Sequence, residues 1–128
     1  MQVHMENRRF TIALVEDNPL IRVPIARGLD QAGYQVIGAA DGVEALSLLA
    51  DPGVAVAVVD VNLAGRMSGL EAVAEARRGN PTLKVIFVSG ELEDGPKGAP
   101  FLRKPYQVAD LLSLLSPMVS GGGEPDRI

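Results

Sequence analysis

The chain has 128 residues, of which 47% are hydrophobic, and these values suit one domain with a continuous core. Twelve Lys and Arg residues against sixteen Asp and Glu residues give a net charge of −4, so we expect no direct binding to nucleic acid. The absence of cysteine excludes disulfides and thiolate metal sites. No apolar run reaches membrane-spanning length and residues 1–9 lack the apolar stretch of a secretory signal, so we expect a soluble, cytoplasmic protein without membrane contact.

Short apolar runs alternate with amphipathic segments along the chain. The strands are predicted at 10–15, 34–38, 54–59, 83–88 and 101–103. The helices are predicted at 20–32, at 41–49, from 68 to about 78, and after 105. Asn18, Asp41 and Ser68 stand at expected helix N-caps, and the latter two begin capping-box patterns. This alternation favours an α/β fold, a doubly wound parallel sheet of five strands with helices on both faces.

The ends of the chain differ from its middle. We divide the chain into a flexible N-terminal arm at 1–9, one domain at 10–119 and a disordered tail at 120–128. The single histidine, His4, falls in the arm and is assigned no role.

Acidic side chains follow the first and third predicted strands: Glu16 and Asp17 after the first, and Asp60 after the third. In a sheet of order 2-1-3-4-5 the strand order reverses between these two strands, and ligands bind at such a point. Three carboxylates in one cleft repel one another unless a cation joins them, and hard oxygen ligands favour Mg²⁺. Asp17 and Asp60 are the candidate direct ligands, Asn62 offers its main-chain carbonyl, and Glu16 acts through a water.

Structural explanations compete with the metal-binding one. Acidic residues such as Glu16 and Asp17 are favourable at a helix start, and Asn62 alone can be a turn former. Asp60 is harder to explain in this way, because it follows a strand of Val and Ala that reads as buried on both faces.

A hydroxyl and an ammonium are expected at the same sheet edge. Ser89 ends the fourth strand and Lys104 follows the fifth; each is ordinary alone, as a turn residue and a solvated charge. A carboxylate nucleophile, a divalent cation, a hydroxyl and an ammonium together are what phosphoryl transfer to an aspartate requires.

Seven residues at strand ends or in strand five carry a resemblance to a known family: Glu16, Asp17, Asp60, Ser89, Phe101, Lys104 and Pro105. In this order they resemble the receiver domain of bacterial two-component response regulators, over about residues 10–118. The resemblance implies a flavodoxin-like fold, Asp60 as phosphoacceptor, and Ser89 and Lys104 as the residues that sense the phosphoryl group. It also implies Mg²⁺, or Mn²⁺ in its place, a cis peptide between Lys104 and Pro105, and a rotating aromatic switch at Phe101. From the residues alone, Phe101 reads equally well as core.

Two segments depart from the family pattern. The loop from Asn62 to Gly69 replaces the usual Met-Pro pair and a shorter path to glycine, so we expect a longer and more mobile loop. Between Ser89 and Lys104 three Gly and two Pro residues disfavour a helix, so we expect the fourth helix of the family to be reduced and its usual output face to be altered. We further expect residues 90–98 to exchange amide hydrogens fast at rest and more slowly after phosphorylation.

The sequence therefore predicts a stand-alone receiver that accepts a phosphoryl group from a phosphohistidine donor and signals by protein–protein interaction. Its expected partners are a sensor histidine kinase or a histidine phosphotransfer protein and a downstream protein, with the chain a monomer or weak dimer. Its only expected chemistry is self-phosphotransfer and slow autodephosphorylation. Two alternatives stay open: a receiver-like binding module independent of phosphorylation, and an aspartate-nucleophile phosphatase of the haloacid dehalogenase type.

Overall fold

A computed structural model describes residues 10–90, 96 and 98–120. The arm at 1–9, with His4, and the tail from 121 lie outside the described residues, as do 91–95 and 97, which carry most of the predicted hydrogen-exchange segment. The strands are β1 (Thr11–Val15), β2 (Gln35–Ala39), β3 (Val54–Asp60), β4 (Val85–Ser89) and β5 (Phe101–Arg103). The helices are α1 (Pro19–Gln31), α2 (Gly42–Leu49), α3 (Gly69–Gly79) and α4 (Val108–Ser120).

The five strands form one parallel sheet of order β2-β1-β3-β4-β5, which confirms the predicted fold class. Val15 pairs with Val59, and Asp60 pairs with Val88 on the other side. Ser89 in turn pairs with Arg103. The registers therefore end four strands at one level, so that the residues following them meet at one edge.

Two helices cover each face of the sheet. Helices α2 and α3 pack on one face with Ala57 and Val59 of β3, and helices α1 and α4 pack on the other with Val56 and Val58. These four side chains of β3 are buried, so the prediction of a strand covered on both faces is confirmed.

Polar caps start three of the helices where the sequence predicted them. Asn18 Oδ1 accepts from the Leu20 amide at 2.9 Å, and Ser68 and Glu71 form a complete capping box. At α2 the pattern is modified: Asp41 caps the Glu44 amide at 2.7 Å, but the Glu44 carboxylate accepts from the Ala40 amide.

Three strands start one or two residues later than the sequence predicted: β1 begins at Thr11, one residue late, and the other two are β2 and β4. The Tyr34 amide donates to Leu29 O and finishes the turn that ends α1, so β2 begins at Gln35. The Leu83 amide donates to Asn80 O in the turn after α3, and β4 begins at Val85. The Tyr34 and Leu83 amides thus donate hydrogen bonds within turns rather than to a neighbouring strand.

The connection between β4 and β5 contains no helix among its described residues, 96 and 98–100, and Gly98 there has a φ of +79°. Within the described part of the chain the fold therefore has four helices, as the predicted reduction of the family's fourth helix requires. None of the described helices has the length and apolar character needed to cross a membrane.

Candidate functional site

A cleft of about 230 Å³ opens at the carboxyl ends of β1, β3 and β4. It is lined by Glu16, Asp17, Asn18, Ile21, Asp60, Asn62, Gly90 and Lys104. Five of these residues were candidates from the sequence, and the parallel registers bring them together across some ninety positions of chain.

Three carboxylates face one another in this cleft. Glu16, Asp17 and Asp60 each offer an oxygen, and these oxygens lie within 4.8 Å of one another. Glu16 and Asp60 are buried, with 3% and 4% of their surface exposed, whereas Asp17 is half-buried. Charges this close and this poorly solvated need a compensating cation.

Lys104 supplies part of that compensation. Its Nζ lies 2.7 Å from Glu16 Oε1 and 2.7 Å from Asp60 Oδ2. Burial alone would lower the pKa of Lys104, but the hydrogen bonds to Asp60 and Glu16 outweigh it and the pKa is raised. Burial raises the pKa of Glu16, and the Lys104 hydrogen bond offsets only part of that increase.

The remaining charge suits a divalent cation. Three carboxylates and one ammonium leave two negative charges in the cleft, which Mg²⁺ would neutralise. Both oxygens of Glu16 already accept hydrogen bonds, from Lys104 and from the Asn18 amide at 3.0 Å. Asp17 accepts from the Ala64 amide through Oδ2 at 3.0 Å, and within the described part of the chain its Oδ1 has no donor. The donor set therefore fits a Mg²⁺ ion, with Asp17 more available than Glu16.

The hydroxyl predicted at the end of β4 lies behind this cleft. Ser89 is fully buried, and its Oγ accepts from Asn62 Nδ2 at 3.1 Å. The Asn62 amide also donates to Asp60 Oδ1 at 2.9 Å. The Lys104 amide donates to Ser89 O at 2.9 Å, so main-chain pairing ties the two predicted sensing residues together.

Phe101 lies apart from the charged groups. It is half-buried on β5, opposite Phe87 of β4, and packs against the core under α2 and α3. Its role as a rotating switch stays a prediction. The peptide bond between Lys104 and Pro105 is cis, as the resemblance implied.

Three features of the site, two contacts and one raised pKa, were not anticipated from the sequence. Arg22 of α1 donates from NH1 to Glu16 O at 2.7 Å and so fixes the end of β1. Burial, followed by the charges of Glu16 and Asp60, raises the pKa of Tyr106 well above its ordinary value. The third is the Ala64 amide on Asp17. The sequence does show an arginine one turn into α1 and a tyrosine after the cis proline, and these side chains could have been considered as parts of the site. A main-chain amide leaves no such signal in the sequence.

A doubly wound sheet with acids, a hydroxyl and a lysine at one edge is the architecture of a phosphoacceptor signalling domain. The sequence profile of the response regulator receiver domain matches residues 12–116, and the chain belongs to this family. Membership of the receiver family also distinguishes the chain from the dehalogenase-type phosphatases.

Known proteins of two kinds are similar to the chain. It is 37% identical over 118 residues to the sensor kinase CckA of Brucella abortus, covering 85% of this chain but 12% of the kinase. It is 28% identical over 115 residues to the response regulator receiver protein CpdR of Brucella abortus, covering 84% of this chain and 95% of CpdR.

A solved structure bears on the metal question. The receiver domain of the sensor histidine kinase PA1611 from Pseudomonas aeruginosa PAO1 superimposes with a TM-score of 0.74 at 27% identity, over 83% of this chain and 93% of that one. That structure holds a magnesium ion coordinated in its active-site cleft.

Proposed function

We propose that the chain is a stand-alone response regulator that accepts a phosphoryl group on Asp60 from a phosphohistidine donor and signals by binding another protein. The observation that carries the proposal is the state of Asp60, a buried carboxylate joined to Lys104 inside a cluster of three acids. The match to nearly the whole of CpdR supports the stand-alone role.

The chemistry requires little movement of the acceptor. An Asp60 carboxylate oxygen attacks phosphorus, an O–P bond forms, and the P–N bond to the donor histidine breaks with its electron pair leaving on the imidazole nitrogen. Lys104, 2.7 Å from Asp60 Oδ2 at rest, moves its contact to a phosphoryl oxygen. Ser89 donates its hydroxyl to another. The added negative charge is thus met by groups already at the strand ends.

The cleft would hold Mg²⁺, or Mn²⁺, through Asp17, Asp60 and the Asn62 main-chain carbonyl, with Glu16 acting through a water. When bound, the ion neutralises phosphoryl oxygens during transfer. The Mg²⁺ in the PA1611 receiver domain and the two residual negative charges here support this assignment.

The proposed partners follow from the reaction. A sensor histidine kinase or a histidine phosphotransfer protein supplies the phosphoryl group, and a downstream protein recognises the phosphorylated form. We place these events in the cytoplasm, with the chain as a monomer or weak dimer that binds no nucleic acid. Its own chemistry is limited to self-phosphotransfer and slow autodephosphorylation.

Incubation with acetyl phosphate and Mg²⁺ tests the proposal directly. Intact-mass analysis should show the gain of one phosphoryl group, and Asp60→Asn should show none. Persistence of the gain in Asp60→Asn would assign the acceptor elsewhere. A chain that never takes up the group, yet captures the same protein with and without acetyl phosphate in a pull-down, would be a phosphorylation-independent binding module instead.

A further inference from the structure

One residue of the loop between β3 and α3 contacts both the acceptor and the buried hydroxyl. The main-chain amide of Asn62 donates to Asp60 Oδ1 at 2.9 Å, and its side-chain Nδ2 donates to Ser89 Oγ at 3.1 Å. Asn62 is exposed at the cleft whereas Ser89 is fully buried. The two contacts come from different parts of Asn62, so a change of side chain removes one and leaves the other.

The contact with Ser89 matters because of how a hydroxyl forms hydrogen bonds. Its oxygen can accept, but its single proton can be donated to only one acceptor at a time. By donating to Oγ, the Asn62 side-chain amide uses a lone pair of the hydroxyl and not its proton. A hydroxyl that already accepts a hydrogen bond is also polarised into a better donor.

We propose that Asn62 is a positioning residue that acts through Ser89: its side-chain amide orients the Ser89 hydroxyl to donate to a phosphoryl oxygen on Asp60. The inference rests on the proposed function, since it assumes a phosphoryl group at Asp60. It assigns to the Asn62 side chain a role separate from that of the Asn62 carbonyl, which belongs to the main chain and survives substitution.

A double-mutant cycle between Asn62→Ala and Ser89→Ala tests this route. The measured quantity is the affinity for beryllofluoride, a mimic of the phosphoryl group, at saturating Mg²⁺. We expect Asn62→Ala to weaken beryllofluoride binding roughly two- to tenfold, the effect of one neutral hydrogen bond, and to have almost no effect once Ser89 is alanine. Asn62→Leu, which keeps most of the volume, provides a second cycle should Asn62→Ala disturb the loop.

Arg66→Lys is the matched control in the same loop. Its side chain is exposed, and the substitution keeps the positive charge. We expect it to leave beryllofluoride affinity unchanged in both backgrounds. A second readout needs no phosphoryl group: in the resting protein, Ser89→Ala should shift the Asn62 side-chain amide resonances and speed their hydrogen exchange.

The outcomes separate the two proposals. Equal losses in both backgrounds would mean that Asn62 touches the phosphoryl group directly, and a gain in affinity would mean that it restrains Ser89; either result overturns the positioning role. If the parent takes up the phosphoryl group on Asp60, the proposed function stands whatever the double-mutant cycle shows. If the parent binds neither phosphoryl group nor beryllofluoride, both are wrong.

Discussion

Replacement of Lys104 by methionine probes the charge balance of the cleft before any phosphoryl group arrives. The substitution keeps most of the side-chain length but removes the ammonium that contacts Glu16 and Asp60. The carboxylates it leaves have only 4% and 5% of their side-chain surface exposed. Breaking a buried ion pair in this way costs about 3–5 kcal/mol.

The expected loss lies at the lower end of this range, because the cleft opens to water and Lys104 keeps 18% of its side chain exposed. We therefore expect the free energy of unfolding to fall by about 3 kcal/mol without Mg²⁺. For a domain of this size that corresponds to a decrease in Tm of about 12 °C. Added Mg²⁺ should stabilise Lys104→Met more than the parent, since the ion then neutralises carboxylates that have lost their ammonium.

The destabilisation should also depend on pH. Burial raises the folded-state pKa of Glu16 above its ordinary 4.5, and loss of the Lys104 hydrogen bond raises it further. In this pH range the folded state binds the proton more tightly than the unfolded state, so stability decreases as pH rises from 4.5 through the folded pKa. The deficit of Lys104→Met relative to the parent should thus shrink as pH is lowered from 7 towards 4.5.

Urea unfolding at pH 7 and pH 5, with and without Mg²⁺, measures the loss of stability, its response to Mg²⁺ and its dependence on pH. Lys84→Met is the matched control, because Lys84 Nζ donates to the Met118 carbonyl at 2.9 Å and is not paired with these carboxylates. We expect the control to lose about 1 kcal/mol and to respond to Mg²⁺ as the parent does. Equal stability of Lys104→Met and parent in the absence of Mg²⁺, or an equal response of both to the ion, would refute the reasoning.

Other substitutions test separate parts of the structure. Asp17→Asn should abolish Mg²⁺ binding, measured by titration calorimetry, with an unchanged circular dichroism spectrum; an unchanged affinity would remove Asp17 from the ligand set. A Cβ on Gly69 would lie 1.9 Å from the Asp60 carbonyl oxygen, so Gly69→Ala should lower the free energy of unfolding by about 3 kcal/mol or more. Gly79 has open space around it, so Gly79→Ala should change the free energy of unfolding by less than about 1 kcal/mol. Urea unfolding measures both changes. Burial raises the pKa of both Tyr34 and Tyr106, so at pH 10 the folded protein should show less phenolate absorbance than the unfolded chain, and stability should be lost as pH rises above 10. Equal phenolate absorbance of the folded and unfolded chain at pH 10 would contradict this burial.

The fold was predictable because its signals are local or periodic. The Val and Ala run of β3, the capping box at Ser68 and the acid pair after β1 each follow from a few neighbouring residues. Parallel strands then place their carboxyl ends together, which brought Asp60 and Lys104 to one edge although forty-four positions separate them. Strand starts were less predictable, because the use of the Tyr34 and Leu83 amides depends on how the preceding helix ends.

The sequence predicted which residues form the site but not the contacts between them. The sequence indicated that Lys104 would meet a phosphoryl group, but not that it already contacts Glu16 and Asp60 together at rest. The Ala64 amide reaches Asp17 across forty-seven positions, and any residue except proline could supply that donor. Mobility of this loop and the roles of the site residues stay predictions.

Main-chain pairing of β5 with β4 determines where Lys104 lies. Three residue pairs join the two strands, and the Lys104 amide donates to Ser89 O at 2.9 Å. Asp60 pairs with Val88 of β4 on the other side, so the same strand holds the acceptor and the lysine in register. The distance between the acceptor and its counter-charge is therefore a property of the sheet, and a substitution that shifted the register of β4 would alter that distance even though it touched neither side chain.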